Sequence, residues 1–409
     1  MRLPQCKVRV GVLVAAVAAL LGCQHDTPAP ATTAPAQSLR EIPSPAGAKS
    51  GQPNLAVGPA GETYLSWIET TETGNPALKF AVRKDEQWSP AQTIVETEDL
   101  VVNYADFPSL LPLAGGVLAA HWMTEIGDTD GYRIDVAFSR DGGHTWSKPV
   151  VPHRDKTPTE HGFVSMIPGA DGGIGAIWLD SRKLAGAEGS DEVAMMYTNV
   201  GLNGKLGPEL LIDGRVCECC QPNAVRTTKG ILVAYRDRSQ DEIRDIAIVR
   251  YDGTKWSQPK FVFADNWKIN ACPINGPAIA SLENRVAVAW FTAPNDKPVV
   301  KVSFSNDGGE TFGQPIQVDD GSPEGRVGVV ELDSGGAIVT WLERSDKGVQ
   351  FRARQVDENG TRHPALVVGS SSGGTSGGFP RVARSGNSAV FAWTDINNHV
   401  QVSVVDARK

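Results

Sequence analysis

Ser139-Arg140-Asp141-Gly142-Gly143-His144-Thr145-Trp146 returns later in the chain as Ser305-Asn306-Asp307-Gly308-Gly309-Glu310-Thr311-Phe312. Each copy follows an alternating run, residues 133–138 in the first case and 299–304 in the second, and precedes a shorter one. Such runs put alternate side chains on opposite faces of a strand. An Asp-Gly-Gly turn between two of them predicts a hairpin, because the glycines supply positive φ and the aspartate bonds backbone N–H groups across the turn. The aromatic closing each copy has an apolar body to bury against a neighbouring sheet.

Outward from these turns, the chain repeats itself. A β-rich run ending in an aromatic recurs at Trp67, Trp122, Trp178, Tyr235, Trp290, Trp341 and Trp393. The spacing, about fifty to fifty-seven residues, suits four-stranded propeller blades. Each unit reads as a short first strand after Pro or Gly, a Gly turn, a second strand carrying the aromatic, an alternating third strand and an outer fourth. The seventh unit ends after its third strand, and residues 38–43 can supply the missing one, which closes the ring and removes an open edge. We therefore expect an all-β propeller over residues 52–409 with seven four-stranded blades, or six if one marker belongs to an extra sheet. No helix is needed.

Both turns match Ser-x-Asp-x-Gly-x-Thr-aromatic, the Asp-box or BNR repeat, and the chain resembles the sialidase-like β-propellers, in particular the lipoproteins often labelled exo-alpha-sialidase. The resemblance implies Asp-boxes at the outer rim, away from the reaction centre, and six blades as the family's usual number, so seven markers are a departure. A sialidase of this family clamps the substrate carboxylate with three arginines and uses a Tyr–Glu pair and an Asp acid; guanidinium forks suit a planar carboxylate, and negative charge suits an oxocarbenium-like transition state. Carried onto this chain, the resemblance implies Arg182, Arg326 and Arg381 as clamp, Tyr104 as nucleophile and Asp106 as acid, if the protein is a glycoside hydrolase. The family's Arg-Ile-Pro stands here only as Arg40-Glu41-Ile42-Pro43, interrupted by Glu41.

The first residues predict export. Arg2, Lys7 and Arg9 precede an apolar run, Val10 to Leu21, too short to span a bilayer. Leu20-Leu21-Gly22-Cys23 resembles a bacterial lipobox, which makes 1–22 a signal peptide and Cys23 the lipidated residue; Gln24 after it favours the outer membrane, facing the periplasm. Residues 23–51, rich in Pro, Ala, Thr and Ser, read as a flexible tether. With 47 acidic against 39 basic residues and no basic stripe, nucleic acid is argued against as a partner.

In an antiparallel blade, the links into first strands and the turns between second and third strands share one face, at the channel mouth. Tyr104, Asp106, Glu160, His161, the body's four cysteines, Arg326 and Arg381 fall there, as do Glu69, Glu125, Asp180, Arg182, Glu343 and Asp395. So do Arg236, Asp237, Arg238 and Glu242, in a segment of alternating charge that predicts a self-satisfied ion network. Carboxylates following the aromatics are expected mainly to cap loops. Cys217, Cys219, Cys220 and Cys272 support two readings. An even count in an oxidising compartment favours disulfides, two of which would staple blades four and five. The same thiolates with His161 could instead hold copper or zinc. Three functions follow: a binding or accessory protein for a soft metal, anion or glycan, using His161, the cysteines, Arg236, Asp237, Arg238 and Glu242; a sialidase-type hydrolase; or a scaffold for another envelope protein.

Overall fold

A computed structural model describes residues 39–186 and 191–406. The signal peptide, Cys23 and the tether as far as residue 38 lie outside the described residues.

Seven antiparallel sheets follow one another along the chain, each running from an innermost first strand outward. The first strands are Ser50–Val57, Ser109–Pro112, His161–Pro168, Asn223–Thr227, Ala278–Leu282, Pro323–Glu331 and Arg381–Ser385. Each packs beside the first strand of the next blade, and Ser50–Val57 packs against Arg381–Ser385, so the ring is closed. Leu39–Ile42 pairs antiparallel with Val400–Asp406 and completes the seventh sheet, as its sequence predicts. Among the described residues, helical structure is limited to three short 3-10 turns, and no helix is long and apolar enough to cross a membrane.

Two details differ from the sequence reading. The outer strand of the second blade is reduced to one bridge, Val136 with Val150. Residues 43–51, expected as tether, are folded: Ala46 is buried, the Gly47 N–H donates to Glu69 at 2.8 Å, and Ser50 opens the first strand.

The repeat sequence sets the packing directly. Seven apolar clusters lie between neighbouring blades, and each contains one of the seven marker aromatics. Trp122 packs with Leu78 and Phe80 of blade one, Trp178 with Ile134 and Val136 of blade two, and Trp67 with Val390 and Val402 of blade seven. Several of these rings also hand their polar atom to a carboxylate on the mouth face. Trp67 donates to Glu69 at 2.9 Å, Trp178 to Asp180 at 2.8 Å and Trp290 to Asp265 at 2.7 Å, while Trp341 donates to Glu343. Asp395 caps its own loop, accepting from the Asn397 and His399 N–H groups, whereas the Glu125 side chain is exposed.

The two Asp-Gly-Gly turns form as their sequence demands. Asp141 accepts from Thr145 N–H at 2.9 Å and from the Ser139 and Thr145 hydroxyls; Asp307 repeats this with Ser305 and Thr311. Gly143 has φ 96°, and a Cβ there would overlap the Phe80 ring, so only glycine fits. The strand Tyr132–Ser139 begins at the mouth and ends at this turn, which puts the turn on the far face.

Ring closure is open to test. Ile42 is the buried residue of the closing strand, whereas Arg40 makes only an exposed pair with Glu86. We expect Ile42→Asp to cost on the order of 3 kcal/mol, the scale for an unpaired charge in an apolar cluster, and Arg40→Ala to change nothing measurable. Denaturant midpoints of the two variants check this; equal midpoints would mean the strand does not hold the ring.

Candidate functional site

The mouth face gathers segments whose backbones are fixed by neighbouring first strands. Asp106, in the link into blade two, is fully buried. It accepts from the Phe163 N–H at 2.8 Å and the Tyr132 hydroxyl at 3.0 Å. Burial nevertheless pushes its carboxyl up to about 7, with Glu160 adding repulsion.

The sulfurs meet between blades three, four and five. Cys217 follows the outer strand Leu210–Val216, Cys220 precedes Asn223–Thr227, and Cys272 precedes Ala278–Leu282. The Sγ atoms of Cys217, Cys219 and Cys220 all lie within 4.8 Å of one another. Cys219 forms a disulfide with Cys272, with Cα atoms 6.1 Å apart. Cys220 stays a thiol, as does Cys217, both buried and with Sγ atoms 2.9 Å apart. The Sγ of Cys219 lies 3.9 Å from that of Cys217. The two expected staples are therefore one staple and one dithiol.

The dithiol sits among cations. Arg244 approaches Cys217 Sγ to 3.4 Å. Arg236, buried, donates to the carbonyls of Asn275, Arg244 and Phe291 and lies 4.9 Å from the Trp267 ring. Burial pushes the Cys217 thiol up, but the bond with Cys220 and the charges of Arg236 and Arg244 outweigh it and bring it down to about 7. Burial, with Cys217 beside it, holds Cys220 well above the usual thiol range.

The alternating-charge segment is largely self-satisfied. Glu242, with φ 60°, receives Arg238, Arg244 at 3.0 Å and Arg215 at 2.9 Å; Arg238 also pairs with Asp191, and Arg244 with Glu218 at 2.9 Å. Asp237 is pushed up to about 6 by burial and by Asp213.

His161 is not among the sulfurs. Its Nδ1 lies 3.0 Å from the Thr159 carbonyl, and its Nε2 lies 3.0 Å from Asp155 and 3.7 Å from Asp180. The ring stacks on His153, with centroids 3.9 Å apart. This His153–Asp155–His161 group is a separate cluster with metal-ligand atom types. His153 and Asp155 were not singled out from the sequence; the His-x-Asp spacing shortly before His161 is the one signal that could have found them.

The sialidase set is only partly assembled. Tyr104, Arg326 and Arg381 come together around Phe107 and Phe379: the Arg326 guanidinium lies 5.8 Å from the Tyr104 ring and 4.3 Å from Phe379, and Arg381 lies 3.9 Å from Phe107. Arg182 is held elsewhere, by Asp180 and Glu209 at 2.6 and 2.7 Å. Asp106 is sealed beneath Tyr132 and Phe163 and offers no exposed acid.

No protein-family description matches this chain, and no curated protein matches it in sequence. Its structural neighbours are glycoside hydrolases, a polysaccharide lyase and lectins. They include the polysaccharide lyase Uly1, with 11% identity over 87% of this chain and 89% of that one and a TM-score of 0.52. The α-L-arabinofuranosidase Arb93A of Fusarium graminearum has 16% identity over 90% and 97%, with a TM-score of 0.49. The sialidase of Trypanosoma rangeli has 12% identity over 79% and 55%, with a TM-score of 0.46. At these identities the likeness is one of fold.

Asp106 should make stability depend on pH. Its folded value, about 7, lies above the value near 4 of an unfolded aspartate. The folded state therefore holds a proton that the unfolded state releases between these limits. The contribution is present in full below about pH 4 and is lost as pH rises through 7. We expect the wild type to lose up to about 1.4 kcal/mol more per pH unit than Asp106→Asn within that window. Denaturant titrations at pH 5, 6 and 7 measure the difference, and parallel slopes would show that Asp106 is ionised throughout.

Proposed function

We propose that this protein binds a soft metal ion, Cu(I), through the thiolates of Cys217 and Cys220 at the channel mouth. The observation that carries this reading is the buried pair of free sulfurs 2.9 Å apart, retained as thiols beside a formed disulfide. Soft thiolates select Cu(I). Zinc is the poorer fit: a structural zinc wants four donors, and Cys219 and Cys272 are engaged with each other. Cu(I) is satisfied by two thiolates, with Cys219 sulfur close by at 3.9 Å. Arg236 and Arg244 supply the positive charge that an anionic dithiolate complex needs.

The proposal places this chemistry in the cell envelope, on a protein tethered by a lipid on Cys23, on the strength of the Leu-Leu-Gly-Cys sequence. A glycan bound across Tyr104 and Arg326 would adjoin this site, since Arg326 donates to the Ile274 carbonyl at 2.7 Å, two residues from Cys272, and senses the charge of Cys220. Hydrolysis of sialosides is the weaker reading, because Arg182 is occupied and Asp106 is sealed in.

Cu(I) titrated anaerobically with ascorbate, against a chromophoric chelator, tests the reading without reducing the disulfide. We expect the wild type to take up one equivalent that Cys217→Ser/Cys220→Ser loses. Even outer partners of metal ligands cost 10–100-fold in affinity, so removal of both ligands should cost more than about 100-fold. Cys219→Ser/Cys272→Ser should keep the site. Equal uptake by the wild type and the first double variant would sink it.

A further inference from the structure

The four cysteines are divided between two oxidation states within one small volume. Cys219 is bonded to Cys272, and Cys272 is exposed, while Cys217 and Cys220 are each 1% exposed. A disulfide therefore reaches the surface with a dithiol directly behind it. Cys217 is in contact with both: its Sγ lies 3.9 Å from the bonded sulfur of Cys219 and 2.9 Å from the thiol sulfur of Cys220.

Thiol–disulfide exchange needs a thiolate, a disulfide sulfur within its reach and a leaving sulfur that can be released. All three are present. The Arg244 guanidinium lies 3.4 Å from Cys217 Sγ, and a cation beside a cysteine favours its thiolate. Cys219 supplies the sulfur to be attacked, and the exposed Cys272 leaves where solvent can protonate it. Cys220 is a second nucleophile against Cys217. The two stand in Cys-x-x-Cys spacing, which suits a redox-active pair, and their sulfurs have only to close from 2.9 Å to the bonding distance of about 2.05 Å. Cysteines that serve only as small apolar residues are inert; this pair abuts a disulfide.

We infer that the cysteines form an internal thiol–disulfide exchange unit, which passes the bond between Cys219 and Cys272 to Cys217 and Cys220. In the first step Cys217, its proton given up to solvent, attacks Cys219 Sγ. The Cys217–Cys219 bond forms, the Cys219–Cys272 bond breaks, and its electron pair leaves on Cys272, which takes up a proton. In the second step Cys220 gives up its proton and attacks Cys217 Sγ, and the electron pair leaves on Cys219, which is protonated in turn. One disulfide is consumed and one formed, so the exchange requires neither an oxidant nor a reductant. It leaves a buried disulfide and two outer thiols, Cys219 and Cys272. No metal takes part, and the exchange bears on copper only because a Cys217–Cys220 disulfide has no thiolate to offer.

Alkylation reads this out. The full chain, purified without reductant and stripped of metal by a chelator, is held at about pH 8, near the ordinary thiol value, with excess iodoacetamide. Peptide mass spectrometry then follows each cysteine. Every first step frees Cys272, and alkylation traps it. We expect Cys272, and after it Cys219, to become alkylated in wild type at a rate independent of protein concentration. In Cys217→Ser both should stay blocked. In Cys220→Ser the first step remains and the second is lost, so Cys272 should be alkylated while Cys219 stays bonded to Cys217. Should Cys217→Ser fail to fold, as judged by circular dichroism, Cys217→Ala, which buries no hydroxyl, takes its place. Cys272 that stays blocked in folded wild type, equal alkylation of Cys272 with and without Cys217, or alkylated Cys219 in Cys220→Ser would overturn the assignment. The assay contains no copper, so its outcome and that of the copper titration stand or fall separately.

Discussion

Seven twisted sheets meet around an axis through few backbone hydrogen bonds, such as the bridge of Val216 with Asp237, because each ladder ends at its own blade. What mainly joins them is a wedge, one aromatic per second strand, buried against the sheet of the preceding blade. The apolar interior is accordingly seven small cores rather than one large one, and each is shared by two neighbours. A wedge of this size carries a polar atom into the interior, and that atom must be met. The carboxylates at the rim of the mouth meet it in several blades: Glu69, Asp180, Asp265 and Glu343 accept indole N–H groups, and Asp213 accepts the Tyr235 hydroxyl at 2.7 Å. Much of the acidic chemistry of the mouth is thereby committed to the fold before any ligand arrives.

This commitment explains which parts of the mouth remain reactive. Arg182, Arg238 and Arg244 are absorbed by carboxylates, and Arg236 by carbonyls. The sulfur pair and Arg381 stand out because their neighbours leave them unsatisfied or raise their reactivity. The first is an acidic thiol beside guanidinium groups, and the second is a guanidinium beside no acid. They lie on different blades.

The architecture was legible because it repeats. Seven aromatics at a near-constant spacing, two Ser-x-Asp-Gly-Gly turns and a spare strand at residues 39–42 are local patterns, and the period converts them into a global count. The face on which Cys217, Asp106 and Arg381 lie followed from strand order alone. Partners within that face did not follow. Cys219 and Cys220 are neighbours in sequence with their sulfurs close together, and only the folded geometry decides that one is joined to Cys272 while the other lies against Cys217. His161 could be placed at the mouth, but its position within it depends on the path of the irregular segment from Val150 to Glu160, which carries His153 and Asp155. The boundary of the tether was misjudged for a similar reason: residues 43–51 have the composition of a linker, and their order comes from contacts with Glu69 and with His399 and Val400, the latter more than three hundred positions away.

Those distant contacts have a kinetic side. Leu39 pairs with Val405 and Ile42 with Val402, so the ring cannot close until nearly all of the chain is present. Contacts this far apart in sequence are slow to form. Until they do, the outer edge of the third strand of the last blade stands unpaired, and open strand edges invite association between chains. A nascent chain can assemble its blades one by one as they emerge, but the step that makes them a ring waits for the last strand. The early segment 39–42 must stay unpaired through all of that time. Its brevity and its mixture of charged and apolar residues, Leu-Arg-Glu-Ile, suit a segment that must avoid earlier partners.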